Sequence, residues 1–279
     1  MNFFQNAFKK SQIQFVQADE KRLSNRLLSY SLMWLSLGIF LIAILSFAIL
    51  AINPIREAYF KLLLGVSGSA IGLLVTNLVL TFASIGIMLF ISNQSRRQNS
   101  SLAVLVPMYI LFIILESFWL PALISALFLI RTIDDNFSFV IESLDYKTIS
   151  YILLSFIIPA GIFAIIGALG WFQIIDFSRF VIFIWVGLVV ELILFIVSYF
   201  IFNSIINAIY LVIATLVTFA MIGYNFWLMR QESLYWLATD KYNEDLKAKF
   251  LRIGLAYGMF LLVSYLRLVI ILLKLFSRR

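Results

Sequence analysis

From Ser31 onward, long runs of Leu, Ile, Phe, Val and Ala alternate with short polar clusters, and seven such runs can be counted. A helix that crosses a bilayer needs about 20 predominantly apolar residues. The pattern therefore predicts membrane helices at about 30–53, 66–92, 102–130, 151–174, 180–202, 205–229 and 250–275. The third run holds Pro107 and Pro121 and is long enough to tilt or kink. The second follows an interfacial stretch, Arg56 to Leu64, and carries Gly65, Gly68 and Ser69, small residues that permit close helix approach. Only Asn203 and Ser204 separate the fifth and sixth runs, which predicts a tight antiparallel hairpin.

Residues 1–29 form a polar amino-terminal tail, and the 30–279 remainder forms one membrane domain. Phe4, Phe8 and Phe15 fall on one side of a helix, with Lys9, Lys10, Gln12 and Gln14 around the rest. That arrangement suits either a short interfacial helix or a solvated tail. The first apolar run is too long for a signal-peptide core, so no cleaved presequence is expected.

Orientation follows from Lys and Arg. With the amino terminus inside, the inner segments hold thirteen of them, including Lys9, Arg26, Arg96, Arg97, Arg179 and Lys249. The outer loops hold Arg56, Lys61, Arg131 and Lys147, and the longest outer loop carries Asp134, Asp135, Glu142 and Asp145. The asymmetry predicts a multi-pass plasma-membrane protein with a cytoplasmic amino terminus. Seven spans leave Lys274, Arg278 and Arg279 outside; a re-entrant last segment would return them. Residues 250–275 are long enough to cross, so seven spans are expected, in an all-α polytopic bundle.

Composition narrows the chemistry. Hydrophobic residues make up 63% of the 279, charged residues 13%, and mean hydropathy is +1.03, which excludes a soluble domain. The net charge of +7 lies on segments flanking membrane helices, so it points to anionic lipid headgroups rather than nucleic acid. With no Cys and no His, thiol nucleophiles, disulfides, zinc sites with nitrogen or sulfur ligands, haem ligation and imidazole relays are excluded. No cofactor is expected, and no enzymatic activity. A pH response near neutrality would have to rest on a carboxyl group.

Three charges lie well inside the runs: Glu116, Glu191 and Arg267. A charge in the membrane faces a partner or a water-filled cavity. One acid is expected to pair with Arg267, Glu191 being narrowly preferred, and the other to remain protonated. Such a pair either fixes helix register or forms part of an ion or proton path. The aromatic residues are given no binding role, and Trp34, Trp171, Trp227 and Trp236 read as interfacial anchors.

Three stretches resemble the Bax inhibitor family, the transmembrane BAX inhibitor motif proteins, in its bacterial branch. Phe163-Ala-Ile-Ile-Gly-Ala-Leu-Gly170-Trp171 followed by Asp176-Phe177-Ser178 is similar to that family's Phe-Gly-x-x-Ser-x-Tyr-Gly-Tyr and Asp-Leu-Ser. Gly223-Tyr224-Asn225 stands where the family reads Ala-Tyr-Asp, and Leu246 to Arg279 is similar to its basic, aromatic-punctuated last helix. The resemblance covers roughly residues 25–279 and implies seven helices with the last one central. It also implies an acid-sensitive calcium leak, or modulation of a membrane-bound ATP-dependent protease. The family's leak centres on two aspartates in the last two spans that share a proton. Here those positions correspond to Asn225 and Ser264, which do not titrate, and Arg267 lies one turn beyond Ser264.

Two functions compete on this basis. One is an ion leak of altered selectivity lined by Asn225, Ser264, Arg267, Glu116 and Glu191. The other is a non-conducting regulator acting through its tail and an inner loop from Arg230 to Lys249.

Overall fold

The computed structural model describes residues 2–59, 70–97, 100–124, 130–133, 139–141, 146–200, 204–239 and 244–277. Among them are seven long helices: α1 (Asn2–Ala51), α2 (Ala70–Ser95), α3 (Leu102–Ile124), α4 (Tyr146–Trp171), α5 (Val181–Phe200), α6 (Ser204–Thr239) and α7 (Glu244–Phe276). Six carry a segment long and apolar enough to cross a membrane, and α2 contributes a shorter apolar stretch, Val79–Ser95. Large apolar side chains such as Phe47, Phe82, Ile182 and Trp185 are two-thirds or more exposed. A surface of this kind is stable only against lipid, and the chain is an integral membrane protein.

Several sequence boundaries are corrected. The tail is not a separate short helix: α1 runs unbroken from Asn2 through the first span, because no Gly or Pro interrupts it before Gly38. The expected loop from Arg230 to Lys249 is largely helix, since α6 continues to Thr239 and α7 begins at Glu244. No Gly or Pro lies between Gly223 and Gly254, so backbone propensity carries both helices beyond the apolar region. The third run is helix over Leu102–Ile124, residues 125–129 lie outside the described residues, and Ile130–Ile133 pairs as an antiparallel strand with Phe139–Ile141. The all-α expectation is therefore amended by one two-stranded ribbon. Lys61, Gly65, Gly68, Ser69, Asp134, Asp135, Glu142 and Asp145 lie outside the described residues.

α7 packs against α1, α2, α3, α4 and α6, while α5 packs on α6. Tyr257, Met259, Leu261, Leu262, Leu268 and Val269 of α7 are buried. The closest approach is to α1, through Gly254-Leu-Ala-Tyr-Gly258. A Cβ at Gly258 would lie 2.5 Å from Trp34 Cβ and 2.9 Å from the Ser31 carbonyl oxygen. Lipid offers no hydrophobic drive for helix association, so such backbone proximity supplies the dispersion contact. Trp34 is thereby a buried packing residue, edge-on to Tyr109 at 5.6 Å, and not an interfacial anchor.

Two prolines leave backbone groups that tyrosines satisfy. Pro159 in α4 and Pro121 in α3 remove ladder donors and crowd the preceding turn. Tyr265 of α7 donates to Phe156 O at 2.7 Å, and Tyr59 donates to Phe118 O at 2.6 Å, in each case three residues before the proline. The Ala122 N–H in turn donates to the Tyr59 hydroxyl, which thus sits inside the α3 ladder.

Candidate functional site

The interior charges are organised by α7. Arg267 donates through Nη2 to Glu191 Oε2 of α5 and through Nη1 to Met221 Sδ of α6 at 3.4 Å. The Glu191 side chain is 10% exposed and that of Arg267 22%, so neither charge is solvated well enough to stand alone. The pair also supplies the link by which α5 reaches the central helix.

The other expected positions do not join it. Ser264 is fully buried, and its hydroxyl donates to Phe260 O of its own helix at 3.1 Å. Asn225 is half-buried on α6. Glu116 on α3 shares a hydrogen bond with Ser84 of α2, away from the Glu191–Arg267 pair. Of these five positions, the described residues join Arg267 to Glu191 by a hydrogen bond.

A second polar centre was not legible as a site in the sequence. Arg96, just past α2, makes a two-pronged bond to Glu232 of α6, Nε to Oε1 and Nη2 to Oε2, both at 2.9 Å. Arg96 Nη1 also donates to the carbonyl and hydroxyl oxygens of Ser92. Tyr257 of α7 donates to Glu232 Oε2 at 2.6 Å. Burial acts against the Arg96 charge, but the hydrogen bond and charge of Glu232 outweigh it and raise its pKa. Beside this cluster Lys249 Nζ sits 3.1 Å from the centroid of the Trp236 ring, and Arg252 donates to both oxygens of Ser100. Asn225, Met229, Glu232 and Trp236 recur at helical spacing on α6. That periodicity was the available signal, hidden by reading the segment as a loop.

A groove of about 850 Å³ opens between α1, α4, α6 and α7. Its deep walls are Leu32, Leu35, Ile39, Ala160, Phe163 and Ala164, and its mouth holds Asn25, Ser29, Gln173 and Arg230. Arg230 lies over the Trp171 ring, 5.3 Å from its centroid, and Trp171 is buried. Trp171 is thus corrected from a membrane-interface anchor to a wall of the groove.

The mouth is shaped by how α4 ends. The N–H of Ile174 bonds Leu169 O and that of Gln173 bonds Gly170 O, with Gln173 at φ 55°. This is the paired-bond helix terminus that calls for a left-handed residue, here supplied by a glutamine. Gly170 touches the Gly223 carbonyl, and a Cβ at Gly167 would lie 2.8 Å from the Phe226 ring. The glycines of the family-like motifs are thus the contact points of α4 with α6. Among the described residues no three His, Cys, Asp or Glu side chains gather as a metal site requires. No protein-family model and no curated protein matches the chain.

Proposed function

We propose that the chain is a Bax-inhibitor-type plasma-membrane protein of seven spans, with a cytoplasmic amino terminus, that acts as a non-conducting regulator of a membrane-bound partner such as a protease. The observation that carries this reading is the Glu191–Arg267 bond, which occupies two of the three interior charges with one another. A fixed cation near the family's sensor level opposes calcium, and a carboxylate already committed to it is a poor relay. Ser264 is likewise engaged with its own helix. The resemblance carried by α4, α6 and α7 supports the family, and the helical extensions of α6 and α7 offer a structured surface for a partner.

Calcium-loaded liposomes containing the purified chain test the reading. Efflux should match that of protein-free vesicles at acid and neutral pH. Protein-dependent efflux that Arg267→Asp increases would replace the regulator with a leak.

A further inference from the structure

We propose that the groove between α1, α4, α6 and α7 is a binding site for a single anionic glycerophospholipid, with an acyl chain along its apolar walls and the phosphate at Arg230. This goes beyond the regulatory reading and holds whether or not the bundle conducts.

Three properties of the groove select that occupant. The first is its polarity gradient. Along α1 the lining passes from Asn25 and Ser29 at the mouth to Leu32, Leu35 and Ile39 at depth. The 14 steps from Asn25 to Ile39 span about 21 Å at 1.5 Å each, more than the roughly 15 Å of hydrocarbon in one leaflet. A chain anchored at the mouth can therefore lie along the groove for its full length. A soluble metabolite would have no use for the apolar depth.

The second is access. Ala160 and Ala164 are exposed on the α4 wall, and Leu32 is 38% exposed on the α1 wall. Small side chains on one helix and an aliphatic on the other leave a channel open along the membrane-facing side, with Phe163 and Tyr265 as its floor.

The third is charge. Among the described residues, Arg230 is the one charged residue lining the groove. Its guanidinium is held over Trp171 while Asn25 and Gln173 offer amide groups beside it, a donor set suited to phosphate oxygens. Arg26, Arg96, Arg97, Lys249 and Arg252 stand at the same end of the bundle, against Asp176 and Glu232 among the described side chains. The surrounding field thus favours an anionic headgroup over a zwitterionic one.

Native mass spectrometry of the full chain in detergent, titrated with palmitoyl-oleoyl phosphatidylglycerol or with the phosphatidylcholine of the same chains, tests the site. One phosphatidylglycerol should bind at least about tenfold tighter than phosphatidylcholine, because both carry the phosphate but only phosphatidylcholine brings a choline cation beside Arg230 and the surrounding basic residues. Arg230→Gln should erase that preference. Ala164→Phe and Ala160→Leu, both at exposed wall positions, should weaken both lipids. Equal affinity for the two lipids in the wild type, or an unchanged first binding event in both wall variants, would overturn the proposal. A lipid-free dimer that the wall variants dissociate would assign the groove to a second copy of the chain instead.

Discussion

Arg267 and Glu191 join α7 to α5, two helices whose main packing lies elsewhere. Each charge is tolerable only because of the other, so removing one is worse than removing both. Arg267→Met should destabilise the protein by about 3–5 kcal/mol, because Glu191 is left uncompensated. The double variant Glu191→Met, Arg267→Met should recover most of that loss. Thermal unfolding in detergent measures both; additive losses would show that the residues are not coupled.

The Tyr59 hydroxyl occupies a gap in the α3 ladder, bonded to Phe118 O and to the Ala122 N–H. Tyr59→Phe should cost about 1–3 kcal/mol by leaving those groups unsatisfied. Pro121→Ala in the same background restores a ladder donor and should reduce the cost. Thermal midpoints of the four proteins of this cycle decide the matter, and an equal cost in both backgrounds would separate Tyr59 from the proline.

Tyr257 bonds a carboxylate that is already held by both prongs of Arg96. Tyr257→Phe removes a charge-assisted bond and should cost about 1.5–3 kcal/mol. The loss should change little with added salt, because Glu232 is only 13% exposed. Guanidine-free thermal scans at low and high ionic strength provide the comparison.

Gln173 sits in the left-handed region, where a side chain is strained. Gln173→Gly should stabilise the chain by roughly 0.5–1 kcal/mol, and Gln173→Val should destabilise it. Both changes are readable as shifts of the unfolding midpoint in opposite directions.

Asp176 starts the 3-10 turn Phe177–Phe180, accepting from the Ser178 hydroxyl and backbone N–H and pairing with Arg179. These contacts, the Ser178 hydroxyl foremost, hold its carboxyl below the usual range. A lowered folded-state pKa stabilises the turn above the ordinary carboxylate value and ceases to do so as pH falls through the lowered one. Hydrogen-exchange protection at Ser178 to Val181 should therefore decline on acidification in the wild type. In Asp176→Asn it should be weaker at neutral pH and nearly independent of pH.

The apolar runs were legible because hydrocarbon thickness imposes a length that few other constraints imitate. Their ends were less so, since hydropathy marks where the membrane stops and not where the helix does. Residues 230–239 remain helical past the apolar run, with no Gly or Pro to stop them and with Glu232 tied to Arg96 and Tyr257. The strand at Ile130–Ile133 was hidden because its centre, Arg131-Thr132, reads as the polar loop that follows a span. That Arg267 needs an acid follows from electrostatics. Its preference for Glu191 over Glu116 depends on helix arrangement, which sequence reports weakly. Glu232 escaped notice because a carboxylate assigned to a loop raises no question of what neutralises it.

The glycine seam between α1 and α7 also bears on biogenesis. The helix that packs against five others and bonds a sixth through Arg267 is the last of the seven described helices to leave the ribosome, and its tightest partner is α1. Until α7 inserts, the earlier helices wait in the bilayer with their inward faces against lipid or one another. Closure of the bundle therefore waits for α7, and a chain cut short before Gly254 would present translocon and quality-control factors with an unclosed bundle.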